Sequence, residues 1–327
     1  MLGGMRPLCL LPVVLLACSE YEFVPENSGT EGDSTLPDTD TTPGTDTEGC
    51  GEPDTAPGST AIDESCEVEA IVGSWNPVTE WADPSLGDAY ATPVIGHLTD
   101  DDLDGTYGSS GDIPDIVVLN ASGVAYVMSG DGTGIHWQTN ISSSEPSSAA
   151  IGDLNNDGAP DVVFSGSSGF SAYTGEDGTR LWASSSNPLG SQALCGGVAI
   201  ADLDADGRPE VVQGNVILNG QSGTVRGQGS YGRGSGYSSY YTMGVTADID
   251  QDGDQEVVVG NALYDADGNA LWYNGQADGF VAVGNFDSDP FGEIVVTWEG
   301  NVRLQDNDGT VLWLSLIHIS EPTRPDY

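Results

Sequence analysis

The sequence predicts an all-β protein built from short strands in repeated four-stranded units, and three observations carry that expectation. The chain has 46 glycines against a charged fraction of only 18%, a mixture that suits turns and strands better than helices. An acidic stretch recurs five times, its first positions at residues 100, 153, 202, 248 and 285, and recurrence with such a period marks a repeat architecture. Around each stretch the apolar residues fall in short runs separated by Gly turns, with no helical period. At 327 residues the length allows two domains, or one all-β domain with extra segments.

In chain order, residues 1–17 read as an export signal. Arg6 supplies the positive start, and Leu8 to Leu16 form an apolar run too short to span a bilayer. The end of that run, "LLAC", resembles the bacterial lipobox. The resemblance implies that Cys18 is lipidated and that Ser19 behind it directs the chain to the outer membrane or cell surface. Leu16 stands where a small residue is usual, so cleavage by ordinary signal peptidase is the alternative. Residues 18–66 are rich in acids, Thr, Pro and Gly and hold too little apolar surface to offset ordering entropy; they are expected to be a disordered stalk. Export permits disulfides; Cys50–Cys66 is the sequence-local choice among Cys50, Cys66 and Cys195, and the pairing stays open.

The balance of 51 acids against 7 bases, a formal charge of -44, argues against nucleic acid and anionic membrane surfaces. Contact with a membrane is expected through the lipid anchor alone. Multivalent cations are the partners such a charge favours.

Residues 67–313 repeat one ordered set of parts. An apolar stretch such as "SSAAIGDL" leads into the acidic loop, and a β-branched run such as "PDVVF" follows. A third segment and a Gly turn then lead to a closing strand such as "EDGTRLW". Four short strands per ~50 residues describe a β-propeller blade. Trp137, Trp182, Trp272 and Trp313 end four closing strands and are expected to pack between blades.

Each acidic loop alternates side-chain oxygens in a way that suits calcium, which takes six to eight oxygen ligands. The first, third and fifth positions are Asp100, Asp102 and Asp104; Asp153, Asn155 and Asp157; Asp202, Asp204 and Asp206; Asp248, Asp250 and Asp252; Asn285, Asp287 and Asp289. A Gly follows for the sharp turn, except in the fifth loop, where Pro290 takes its place. The ninth position is again acidic: Asp161, Glu210, Glu256 and Glu293. In the longer first loop Asp115 is expected in that role, with Asp112 as competitor. The twelfth position lacks the Glu an EF-hand requires.

This loop, running straight into a strand, resembles the FG-GAP or VCBS repeat of integrin-type propellers, and "GAP" itself stands at residues 158–160. The resemblance implies a calcium-bearing propeller with metal loops on one face, serving extracellular recognition. Asn285 and Pro290 mark the fifth site as the weakest.

Between the third and fourth repeats, "VRGQGSYGRGSGYSSYYTMG" concentrates Tyr231, Arg233, Tyr237 and Tyr240, with Arg226 and Tyr241. Tyr with Ser and Gly is the composition of adaptable recognition loops, here expected to meet an extracellular protein or carbohydrate. The competing reading is the propeller part of an extracellular lyase, hydrolase or quinoprotein-like enzyme; no nucleophile motif or zinc signature accompanies it. Finally, Leu314 to Arg324, "LSLIHISEPTR", reads as the in-frame translation of a transposase-library adapter. Residues 314–327 are expected to be sequencing-adapter translation, with the propeller cut in its fifth repeat.

Overall fold

Each recurrence of the sequence pattern becomes one antiparallel sheet of four strands, joined in chain order as an up-and-down meander. Blade 1 holds β1 (Val94–Gly96), β2 (Asp115–Leu119), β3 (Val124–Ser129) and β4 (Ile135–Asn140). Blade 2 holds β5 (Pro146–Gly152), β6 (Asp161–Gly166), β7 (Gly169–Thr174) and β8 (Arg180–Ala183). Blade 3 holds β9 (Ala199–Ala201), β10 (Glu210–Gln213), β11 (Val216–Asn219) and β12 (Val225–Gln228). Blade 4 holds β13 (Val245–Ala247), β14 (Glu256–Val259), β15 (Ala262–Tyr264) and β16 (Ala270–Tyr273). Blade 5 holds β17 (Phe280–Gly284), β18 (Glu293–Trp298), β19 (Asn301–Gln305) and β20 (Val311–Leu316).

The computed structural model describes residues 78–89, 91–141, 146–166, 168–190, 196–235 and 242–316. The export signal, Cys18, the stalk, Cys50, Cys66, Cys195, Tyr237, Tyr240 and residues from 317 onward lie outside them. The described residues from Trp81 onward belong to one compact unit. Among the described residues no helix is long and apolar enough to cross a membrane.

The first strands are neighbours in the order β1, β5, β9, β13, β17, so the sheets fan out as the blades of a propeller. The core lies between blades rather than inside one. Val117, Leu119 and Val127 of blade 1 pack on Val162, Phe164 and Tyr173 of blade 2. Equivalent clusters join blades 2 and 3, 3 and 4, and 4 and 5. This explains why the second strands read as continuous β-branched runs instead of alternating: sheets cover both of their faces. β6, β10 and β14 are buried along their whole length, and each buried Val or Ile side chain contributes about 1.5–3 kcal/mol.

Three closing-strand indoles fasten the blades. Trp137 donates its Nε1–H to the Gly175 carbonyl at 2.6 Å, Trp182 to Gly220 at 2.7 Å and Trp272 to Asn307 at 2.7 Å. In each case the acceptor sits in the β3–β4-type turn of the next blade. Trp313 differs from the sequence expectation: it is 47% exposed, because no sheet follows blade 5 among the described residues. Trp81, ahead of β1, makes the same contact onto blade 1, donating to Gly130 at 3.0 Å. β20 runs on through Leu314, Ser315 and Leu316, which pair with Arg303, Val302 and Asn301.

Candidate metal centres at the acidic loops

Every acidic loop joins the first strand of a blade to the second, so all five emerge at one end of the blades. The loop closes on itself through its first aspartate. Asp153 accepts the backbone N–H of Asp157 at 3.2 Å and of Gly158 at 2.9 Å; Asp100 and Asp202 repeat the pattern on Asp104 and Gly105, and on Asp206 and Gly207. The fourth loop position is left-handed in four loops although none carries Gly there: Leu103, Asn156, Ala205 and Gln251 have φ between 51° and 61°. A non-Gly residue pays a steric penalty in that region, so its recurrence means the loop geometry imposes it. Pro290 cannot take the positive φ that Gly105, Gly158, Gly207 and Gly253 adopt, and the fifth loop follows another path. There Asn285 donates its side-chain N–H to the Asp289 carbonyl at 2.7 Å.

The ninth-position acid opens the second strand in every blade and is buried: Asp115, Asp161, Glu210, Glu256 and Glu293 are all at most 4% exposed. One oxygen accepts a backbone N–H at the start of the loop, from Leu98, Leu154, Leu203, Ile249 and Phe286 respectively. In blades 2 and 5 the other oxygen, Asp161 Oδ1 and Glu293 Oε1, is buried with no partner. An unpartnered buried carboxylate oxygen is costly.

Carboxylate oxygens gather within 4.8 Å in four loops: Asp100, Asp102 and Asp104; Asp202, Asp204 and Asp206; Asp248, Asp250 and Glu256; Asp287, Asp289 and Glu293. Asp252 stands outside its trio, and the second loop, with Asn155 donating to Asp157 at 2.9 Å, forms no such group of three acids. Two unit charges ~4 Å apart repel by ~4 kcal/mol at an effective dielectric of 20. The strain shows in the proton affinities. Burial, aided by Asp157 and Asp153, pushes Asp161 up to about 6. Burial, with Asp250, Asp252 and Asp248 alongside, pushes Glu256 up to about 7. Hard oxygens, crowded and in part orphaned, fit a hard divalent cation such as calcium.

The first loop is longer than the others, and Asp115 opens its second strand as expected. Asp115 accepts from Leu98 and Thr99, ahead of Asp100, and, like Glu210 in the third loop, stands outside its loop's trio. Asp115 Oδ1 lies 2.9 Å from His136 Nε2. Asp112 instead accepts the backbone N–H groups of Asp101, Gly108 and Ser109.

Arg226 is the functional side chain that reading by motif missed. The sequence groups it with the Tyr-rich stretch; the structure places it in β12, facing the third acidic loop. Its guanidinium meets Asp204 at 2.6 Å, Glu210 at 2.8 Å and, on the blade 4 turn, Asp267 at 2.9 Å. That hydrogen bond holds Asp204 below its ordinary range. The only available signal was that β12 carries Gly227 where other closing strands carry Trp.

The Tyr-rich connection from β12 to β13 lies at the opposite end of the blades from the acidic loops. Tyr231 stacks on Tyr273, ring centroids 4.0 Å apart and planes within 4°, and both are about half exposed. The loop is held by Asp278, whose carboxylate accepts the backbone N–H groups of Arg233 at 2.8 Å, Ser235 at 3.0 Å and Gly260 at 3.0 Å.

Comparison with known proteins agrees with this architecture. The FG-GAP-like repeat family matches residues 112–164 and 153–212. No curated protein sequence gives a significant match. Among solved structures, the V. cholerae biofilm matrix protein Bap1 superposes with a TM-score of 0.58 at 20% identity, over 72% of this chain and 42% of that one. The rhamnogalacturonan lyase YesW superposes with a TM-score of 0.51 at 17% identity, over 68% of this chain and 51% of that one. The chain therefore spans about half or less of the length of these two structures, and what it shares with them is the fold.

Proposed function

Since this chain is an FG-GAP-repeat β-propeller, we propose that it is a calcium-loaded recognition module of the cell surface, exported and held by a lipid on Cys18. The observation that carries the calcium reading is the buried acid at the head of each second strand, with Asp161 and Glu293 each keeping an orphaned oxygen. In that reading the loop aspartates and the strand-opening acid hold the ion, which neutralises their repulsion. The ion's role is mainly structural: it ties the first strand of a blade to the second. The kinship to a biofilm matrix protein supports a surface role, and an extracellular carbohydrate or protein is the partner. Tyr231 and Tyr273 offer it an aromatic platform, with Arg233 on the same loop.

Thermal melts test the calcium reading. Calcium at a hundredfold excess over Kd adds about 2.7 kcal/mol per site, so the melting temperature should rise in calcium and fall with chelator; identical melts refute it. Binding to a panel of extracellular polysaccharides and matrix proteins tests recognition. Ligand capture that Tyr231→Ala weakens supports the platform, whereas capture indifferent to Tyr231→Ala and Tyr273→Ala moves the ligand elsewhere.

A further inference from the structure

The strand position just ahead of the closing Trp looks onto the acidic loop of its own blade. Its occupants along the chain are His136, Leu181, Arg226, Leu271 and Leu312. The pairings Ala172 with Trp182, Ile217 with Gly227 and Leu263 with Trp272 fix this equivalence. The position reaches the strand-opening acid: His136 lies against Asp115 and Arg226 against Glu210. Among the five, Arg226 alone brings a permanent positive charge.

We propose that the Arg226 guanidinium takes the place of calcium in the third loop, making blade 3 independent of the metal. This rests on the calcium reading of the other loops. Arg226 engages one oxygen each of Asp204 and Glu210, the third and ninth positions, which a calcium ion there would need. Asp204 Oδ1 stays buried without a hydrogen-bond partner and the Asp202, Asp204 and Asp206 oxygens stay within 4.8 Å, so the guanidinium covers one side of the cluster. A guanidinium stays charged at every accessible pH, and its planar fork suits two carboxylates at once. The third nitrogen continues to Asp267 of blade 4. Gly227, in the Trp position, lets that turn approach so closely that a Cβ on it would lie 2.1 Å from the Asp267 carbonyl oxygen. Two departures from the repeat, Arg for Leu and Gly for Trp, therefore belong together. One side chain supplies both the loop's cation and the link to the next blade. The fourth loop shows the contrast: Leu271 stands in the equivalent place and, among the described residues, no base forms an ion pair with Glu256.

Equilibrium dialysis counts calcium per chain in the purified protein. Asp248→Asn with Asp250→Asn should lose one ion, and Asp202→Asn with Asp206→Asn should lose none. Arg226→Leu should gain one ion, lost again when the third-loop Asn pair is added. Loss of an ion from the third-loop pair alone overturns the proposal, and this arm decides the matter even where Arg226→Leu fails to fold. If the unmodified chain binds no calcium at all, the functional reading fails, and melts in chelator then judge Arg226 separately. Arg226→Leu should lower the melting temperature by about 5 °C, and by much less in an Asp204→Asn background. An equal fall in both backgrounds overturns the internal counter-ion.

Discussion

At the scale of the residue, the strand-opening acids set how the metal-free chain responds to pH. Asp161 and Glu256 are raised in the folded state to about 6 and about 7, burial being the larger cause in both. A raised acid binds its proton more tightly when folded than unfolded, so folding is weakened once the pH exceeds the unfolded value near 4 and the loss is complete above the folded one. In chelator, the melting temperature should therefore rise as the pH falls from about 7.5 to about 5. The acids held low, among them Asp83, Asp131, Asp177 and Asp308, act in the opposite sense only below about pH 4. Glu256→Gln should flatten this dependence and stabilise the metal-free form, while reducing the gain from calcium. A flat profile in the unmodified protein contradicts the argument. The alternation of acids in the loops was legible in the sequence because ligand spacing is local. The partner of Glu210 was not, since Arg226 reaches it across the sheet from 16 residues away.

At the scale of the element, the indole links should be unequal. Trp182 is buried in the cluster between blades 2 and 3, and replacing a buried Trp by Ala costs about 3–5 kcal/mol. Trp313→Ala, at an exposed site, should cost less than about 1 kcal/mol. Urea unfolding of the two variants compares them; similar losses would mean that Trp313 is covered. The four-stranded repeat was readable from its turn residues and β-branched runs, and the packing of Trp137, Trp182 and Trp272 followed from their place in the closing strands. Trp81 was not readable: it lies in no strand and its acceptor is 49 residues further on. The anchor of the first loop was hidden for a related reason. Its aspartates keep the spacing of a turn, and spacing alone does not reveal how far the turn stands from Leu98, the residue that anchors the loop to the buried acid.

At the scale of the whole molecule, a formal charge of -44 destabilises a compact state by self-repulsion. Without calcium, sodium chloride between about 10 mM and 0.3 M should raise the melting temperature by screening. With calcium bound the same salt should do less, and equal salt responses would show that the ion leaves the repulsion untouched. Because the hydrophobic clusters sit between neighbouring blades, no blade is stable by itself, and damage at one junction weakens both blades that share it.

The Trp81 contact has a mechanical meaning. Tension applied to the residues ahead of it meets no strand ladder first. It meets one indole against the turn at Gly130 and Gly132, and then the short links from Leu86 and Asp88 to Asn120 and Ala121. These contacts lie outside the four-stranded sheets, so breaking them leaves the ladders of blade 1 intact. Under the attachment through Cys18 proposed above, a pull from the N-terminal side would load these few contacts ahead of any strand ladder.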